Sequence, residues 1–160
     1  MRNCKKQTIT LDQTHYVEEV IKQFGQQNYK SISVPFPIGY HPRSNPDKEA
    51  NVTLWSQYQS VIGSLLYIML GTQQDIAYSV IKMSQYSANP TEEYLQKALY
   101  IVCYLSSTMD LCMYYLGLGD KNEFITYSNM NWDGDVETSW STTGYAIFLA
   151  NRTISWLLQW

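Results

Sequence analysis

Charged side chains are scarce in this sequence. Only 16% of its 160 residues are Asp, Glu, Lys or Arg, against about 25% in an average globular domain. Apolar residues make up 45%, so the chain can build a hydrophobic core and intrinsic disorder is not predicted. Residues 51–160 hold four basic and nine acidic side chains. Binding to a phosphate backbone draws on clustered Lys and Arg, so the composition does not favour it.

The sequence also lacks the marks of a secreted or membrane protein. No apolar run approaches the ~18 residues that a membrane span needs. The N-terminal segment Met1–Lys6 is basic, but polar residues follow it, so no secretory signal is predicted. Three cysteines, Cys4, Cys103 and Cys112, form no C-x-x-C pair, which argues against a disulfide framework or a zinc site. We therefore expect an intracellular protein, cytoplasmic or nuclear, with no membrane partner.

Hydrophobic periodicity predicts an α+β chain. A strand at 7–11 is followed by a helix that Asp12 or Thr14 caps and Gly25 ends. Ser33–Pro37 is typical of an extended edge segment. The predicted helices in the middle of the chain are Trp55–Leu70, Asp75–Gln85 and Thr91–Leu105, the last with Thr91 as its N-cap. The predicted antiparallel strands of the last third are 111–116, 123–128, 143–150 and 153–158, with a turn at Asn151–Arg152 before the final strand.

A series of short motifs runs along these segments. They are Tyr58–Tyr67, Gly71–Thr72, Asp75–Ala77, Asn89–Pro90, Tyr127–Ser128, Trp132, Gly134–Asp135, Ser141–Tyr145 and Ile154–Trp156. In this order and spacing they resemble the Pol polyprotein of copia-type LTR retrotransposons. The resemblance begins near Ile9 and covers nearly the whole chain. It implies that residues 1–50 are the end of a reverse-transcriptase palm with a linker, 51–110 a helical thumb and connection, and 111–160 the antiparallel strands of a truncated RNase H-like domain.

The resemblance also implies where catalytic carboxylates belong. Reverse transcription and RNase H cleavage each need two metal ions, Mg²⁺ in the family, held by acidic side chains. The family's polymerase motif is Tyr-Val-Asp-Asp, and no Asp-Asp pair occurs in this sequence. The family's first RNase H strand is of the type Tyr-Ser-Asp-Ala-Asp-Trp. Here Asn129 occupies the position of the first metal-binding Asp, and Asn131 replaces the second Asp.

A small acidic cluster follows these two asparagines. Asp133, Asp135 and Glu137 are weak candidates for a metal site, and a solvated turn between two strands explains them more simply. His15 and His41 are interpreted as surface residues, and Cys103 as a core residue. The sequence therefore predicts no catalytic, cofactor-binding or metal-binding residue in this chain.

Departures from the family pattern concern charge more than packing. The family's basic helix, of the type Lys-Arg-Ile-Leu-Arg-Tyr-Leu-Lys-Gly-Thr, is replaced by the uncharged segment Leu99–Thr108, and Trp140 stands where an Arg is usual. Cations on the thumb would contact the phosphates of an RNA–DNA hybrid, so these contacts are largely missing.

Three hypotheses follow. The first is a truncated, non-catalytic fragment of a Pol polyprotein whose parent is a reverse transcriptase with RNase H activity. The second is a retained binding fragment that docks on Pol or particle proteins through an open strand edge. The third is residual metal-dependent RNase H activity from a rearranged site.

Overall fold

The computed structural model describes residues 1–27, 32–43, 45, 51–117, 123–131 and 141–159. They divide into two compact units. The helical unit is Gln13–Leu111, and the strand unit joins Met1–Asp12 to Cys112–Trp160. This division reflects which residues contact each other within the chain. The boundaries 1–50, 51–110 and 111–160 instead concern the Pol domains from which each segment derives, and they stay a prediction.

Within its described residues, the helical unit contains four α-helices. They are α1 (Thr14–Gln23), α2 (Val52–Gly71), α3 (Ala77–Ser84), which follows a 3-10 turn at Gln74–Ile76, and α4 (Glu92–Ser107). Thr91 caps α4 as predicted, because its hydroxyl accepts from the Tyr94 N–H at 3.3 Å. The expected cap of α1 is wrong: Gln13 occupies that position and makes no side-chain cap bond. In the described part of the chain, no helix is long and apolar enough to cross a membrane.

The hydrophobic core belongs to the helical unit. Every buried apolar side chain in the described ranges lies between Val17 and Leu105. Burying each of these Leu, Ile or Val side chains stabilises the fold by roughly 1.5–3 kcal/mol before chain entropy is counted. The largest fully buried side chains are Tyr58, Leu65, Ile68, Ile76, Met83, Ile101 and Leu105. Among the described residues, the free energy gained from full apolar burial therefore comes from the helical unit.

Hydrogen bonds tie both ends of the helical unit to the C-terminus of α2. The Gln13 amide donates to the Tyr67 carbonyl at 3.4 Å and accepts from the Thr72 hydroxyl at 2.8 Å. Gln73 donates to the Leu111 carbonyl at 3.4 Å. Since Gln13 and Leu111 are the first and last residues of the unit, its chain ends are held together at one corner.

The segment 32–43 lies over the helices as a strap without regular structure. Phe36 makes an edge contact with Tyr78, with ring centroids 6.1 Å apart. The Tyr86 hydroxyl donates to the Pro42 carbonyl at 3.0 Å, and the Lys97 ammonium lies 4.6 Å from the Tyr40 ring centroid. The expectation of an extended edge at Ser33–Pro37 is wrong, because residues 33–36 form bends and the Phe36 side chain packs against the core of the helices.

The strand unit, where the structure describes it, contains two three-stranded antiparallel sheets. The first has the order β1 (Arg2–Asn3), β2 (Thr8–Leu11), β3 (Met113–Leu116), so that the start of the chain pairs with residues a hundred positions later. The second has the order β4 (Phe124–Asn131), β5 (Thr142–Leu149), β6 (Arg152–Gln159). None of the described side chains in β4–β6 is fully buried. Among the described residues, the second sheet therefore has no fully buried apolar core, unlike the helical unit.

Candidate functional site

The candidate site lies on β4, where the sequence predicted replaced metal ligands. Asn129 is exposed and pairs with Gly144 of β5, and Asn131 pairs with Thr142. Because side chains alternate along a strand, positions 127, 129 and 131 share one face of the sheet. The side chain of Asn131, together with Asp133, Asp135, Glu137 and Trp140, lies outside the described residues.

Gly144 shapes the sheet beside Asn129. A Cβ at Gly144 would lie 3.0 Å from the Leu158 Cδ1 atom, so the Leu158 side chain occupies the space that a side chain on β5 would need. Gly144 also pairs with Leu158 across β6. The residues that lie across from Asn129 on β5 and β6, Gly144 and Leu158, are therefore both apolar and uncharged.

The chemistry open to Asn129 is limited by its amide. A neutral amide offers one carbonyl oxygen and no negative charge, whereas two-metal hydrolysis needs carboxylates that offset the charge of two divalent cations. Among the described residues, no group of three or more His, Cys, Asp or Glu side chains comes together to hold a metal ion. The exposed Asn129 amide can donate and accept hydrogen bonds.

The other residues that the sequence analysis considered, His15, His41 and Cys103, belong to other segments of the chain. His15 is a surface residue of α1, with its side chain 86% exposed and Nδ1 3.6 Å from the Glu19 carboxylate. His41 is exposed in the strap. Cys103 is buried, as predicted: burial raises its pKa to about 11, and its Sγ lies 3.1 Å from the Gln26 Oε1 atom. A buried thiol with a raised pKa is a poor nucleophile.

The helices present few cations. Helix α2 has no charged residue in its 20 positions. Helix α4 carries one, Lys97, against Glu92 and Glu93, and its ammonium lies over the Tyr40 ring. The Lys97 ammonium therefore has an aromatic partner within its own unit, and the loss of the family's basic face stays a prediction.

Sequence reasoning missed the role of several tyrosines. The Tyr104 hydroxyl donates to the Asp75 carboxylate at 2.6 Å, and the Tyr58 hydroxyl donates to the Met83 carbonyl at 2.6 Å. Burial and then the Asp75 carboxylate raise the pKa of Tyr104 to about 12, and burial raises that of Tyr58 above its ordinary value. The high tyrosine content was the available signal. It indicates buried phenols that bond to acceptors in other segments.

Comparison with known proteins adds the decisive observation. The chain is 30% identical over 146 residues to the retrovirus-related Pol polyprotein from transposon RE1 of Arabidopsis thaliana, which covers 91% of this chain and 10% of the relative. It is 28% identical over 163 residues to that from transposon TNT 1-94 of Nicotiana tabacum, which covers 98% of this chain and 12% of the relative. The chain belongs to the Pol polyprotein family of copia-type retrotransposons.

This segment spans about a tenth of the length of these two Pol relatives. A shorter relative is the uncharacterized mitochondrial protein AtMg00810 of Arabidopsis thaliana, 28% identical over 146 residues, with 91% of this chain and 59% of that protein covered. No family model matches the chain, and no solved structure matches it. The Pol assignment therefore comes from sequence similarity and from the series of motifs.

Proposed function

We propose that this Pol-derived segment is non-catalytic and acts through its fold. The supporting observation is Asn129, an exposed neutral amide on β4 at the position where the resemblance to Pol implies the first metal-binding Asp. An amide cannot supply the charge that the two-metal mechanism requires. We further propose that the helices descend from the thumb and connection and that β4–β6 descend from the first strands of an RNase H-like domain.

A hybrid-cleavage assay tests this proposal. The purified chain is incubated with a labelled RNA–DNA hybrid in Mg²⁺, with an EDTA control, and we expect no cleavage above the control. Asp135→Asn is the matched variant, because Asp135 is an acidic residue that corresponds to a family position. Mg²⁺-dependent cleavage by the native chain that Asp135→Asn abolishes would overturn the proposal and establish residual RNase H activity.

Metal binding provides a second readout that does not depend on turnover. Isothermal titration with Mn²⁺ compares the native chain with the double variant Asn129→Asp, Asn131→Asp. We expect no saturable binding by the native chain, because the described residues form no ligand cluster. Saturable binding by the native chain, equal to that of the double variant, would contradict the proposal.

A second candidate function is docking on Pol or particle proteins. The outer edge of β4 favours it. Deleting the coding segment should then change transposition frequency in cells that carry an intact element. An unchanged frequency would exclude this function. The three free thiols, Cys4, Cys103 and Cys112, accord with an intracellular location, cytoplasmic or nuclear, which we propose for either role.

A further inference from the structure

The outer edge of β4 is a long and regular strand edge. All eight residues from Phe124 to Asn131 pair with β5 without a register shift. In the described part of the chain β4 pairs with no strand other than β5. An edge strand presents a row of backbone N–H and C=O groups that another strand can pair with.

Within the eight residues that the structure describes as β4, no charged residue and no proline opposes pairing. The other edge of the sheet, β6, differs in this respect. It begins with Arg152, its register with β5 shifts between Ile147 and Phe148, and the Tyr115 hydroxyl donates to the Thr153 carbonyl at 2.8 Å. Charges, bulges and capped carbonyls all interfere with strand addition. Strand addition is therefore favoured at β4.

Apolar side chains on both faces of β4 remain exposed. Phe124 is 64% exposed, Met130 49% and Tyr127 63%. Positions 124 and 130 lie on one face of the sheet, and position 127 lies on the other. A strand added beside β4 would cover apolar surface on both faces as well as satisfy the backbone groups.

We propose that β4 pairs in antiparallel fashion with β4 of a second copy of this chain. The result is a twofold dimer with a continuous six-stranded sheet. A twofold interface brings identical surfaces together, and like charges opposite each other destabilise strand pairs. The uncharged sequence of β4 avoids that repulsion, although the chain as a whole carries a net charge of −3. An acidic or basic partner strand would find no complementary charge there.

Sedimentation velocity over the low to high micromolar range tests the proposal on the full chain. We expect a concentration-dependent dimer. Ser128→Lys places a cation at the centre of β4, close to its counterpart across the twofold axis, and should weaken the dimer about tenfold or more, a change of at least 1.4 kcal/mol. Gln159→Lys makes the same charge change at the end of β6 and should leave the dimer intact. A native chain that stays monomeric, or a dimer insensitive to Ser128→Lys, would overturn the proposal.

Hydrogen exchange on the native chain keeps the proposal testable if Ser128→Lys does not fold. Backbone amides of β4 should exchange more slowly as the protein concentration rises, while those of β6 should not change. Concentration-independent exchange in β4 would overturn the proposal. The nuclease and metal-binding results do not bear on this outcome, so the dimer and the non-catalytic proposal fail separately. Docking on Pol or particle proteins would use the same edge of β4 and would therefore compete with the dimer.

Discussion

Tyr104 and Asp75 show how single residues couple distant segments of the helical unit. The phenol and the carboxylate are 29 positions apart in the sequence and 2.6 Å apart in the structure. A charge-assisted hydrogen bond of this kind requires that the phenol keep its proton. Burial and the neighbouring carboxylate both favour the neutral phenol, which is why the pKa rises from 10.0 to about 12.

The stability of the helical unit should therefore fall in alkali. The folded-state pKa of Tyr104 is higher than the unfolded value, so its contribution is complete below pH 10.0 and is lost as the pH rises towards about 12. Urea unfolding monitored by far-ultraviolet circular dichroism at pH 9 and above would measure the decline. Tyr104→Phe should make the decline shallower. An unfolding free energy that stays constant across this window in the native chain would contradict the assignment.

At the scale of a single element, the β5–β6 hairpin shows how the backbone angles of two loop residues set the type of turn. Leu149 pairs with Arg152, so the loop consists of Ala150 and Asn151, and their φ angles are +49° and +60°. A two-residue loop with both φ values positive is a type I′ turn, which matches the twist of antiparallel strands. The prediction of a turn at Asn151–Arg152 was one residue out of place, because alanine at a positive φ is unexpected.

Ala150→Asn should stabilise this hairpin. Alanine in the left-handed region carries a steric cost of about 1–2 kcal/mol, which asparagine largely avoids. We expect a gain of about 1 kcal/mol, measured by the hydrogen-exchange rates of the β5 and β6 amides that pair within the hairpin. Ala150→Val is the matched control and should have the opposite effect, because a β-branched side chain is poorly tolerated at positive φ. Equal effects of the two variants would refute a type I′ turn.

At the scale of the whole molecule, apolar burial is distributed unequally between the two units. Leu65 of α2 is fully buried, whereas Leu70 of the same helix is 60% exposed. Leu65→Ala should lower the unfolding free energy by about 3 kcal/mol, since a lost side chain in a packed core leaves a cavity. Leu70→Ala should change it by less than about 0.5 kcal/mol. Urea denaturation of both variants measures the difference, and similar losses would show that α2 is not the centre of the core.

Much of the element order was predictable from local signals. The apolar stripe of α4 and its cap Thr91 lie within one short segment, so their prediction needed no tertiary information. The interior position of Cys103 followed from the same stripe. The strap was not predictable, because Phe36 and Pro42 are held by aromatic partners 42 and 44 positions away, and prolines alone indicate only an extended chain.

The sequence by itself determined the family and the apolar periodicity of the helices, and it predicted that Asn129 and Asn131 replace carboxylates of the family. These features depend on residue identity and on the short repeat lengths of helix and strand. The tertiary structure decided which segments meet. It paired β2 with β3, joined Asp75 to Tyr104, and placed β4 at one end of the strand order of its sheet. Such contacts link residues far apart in the chain and depend on how apolar faces pack together, which no local pattern specifies.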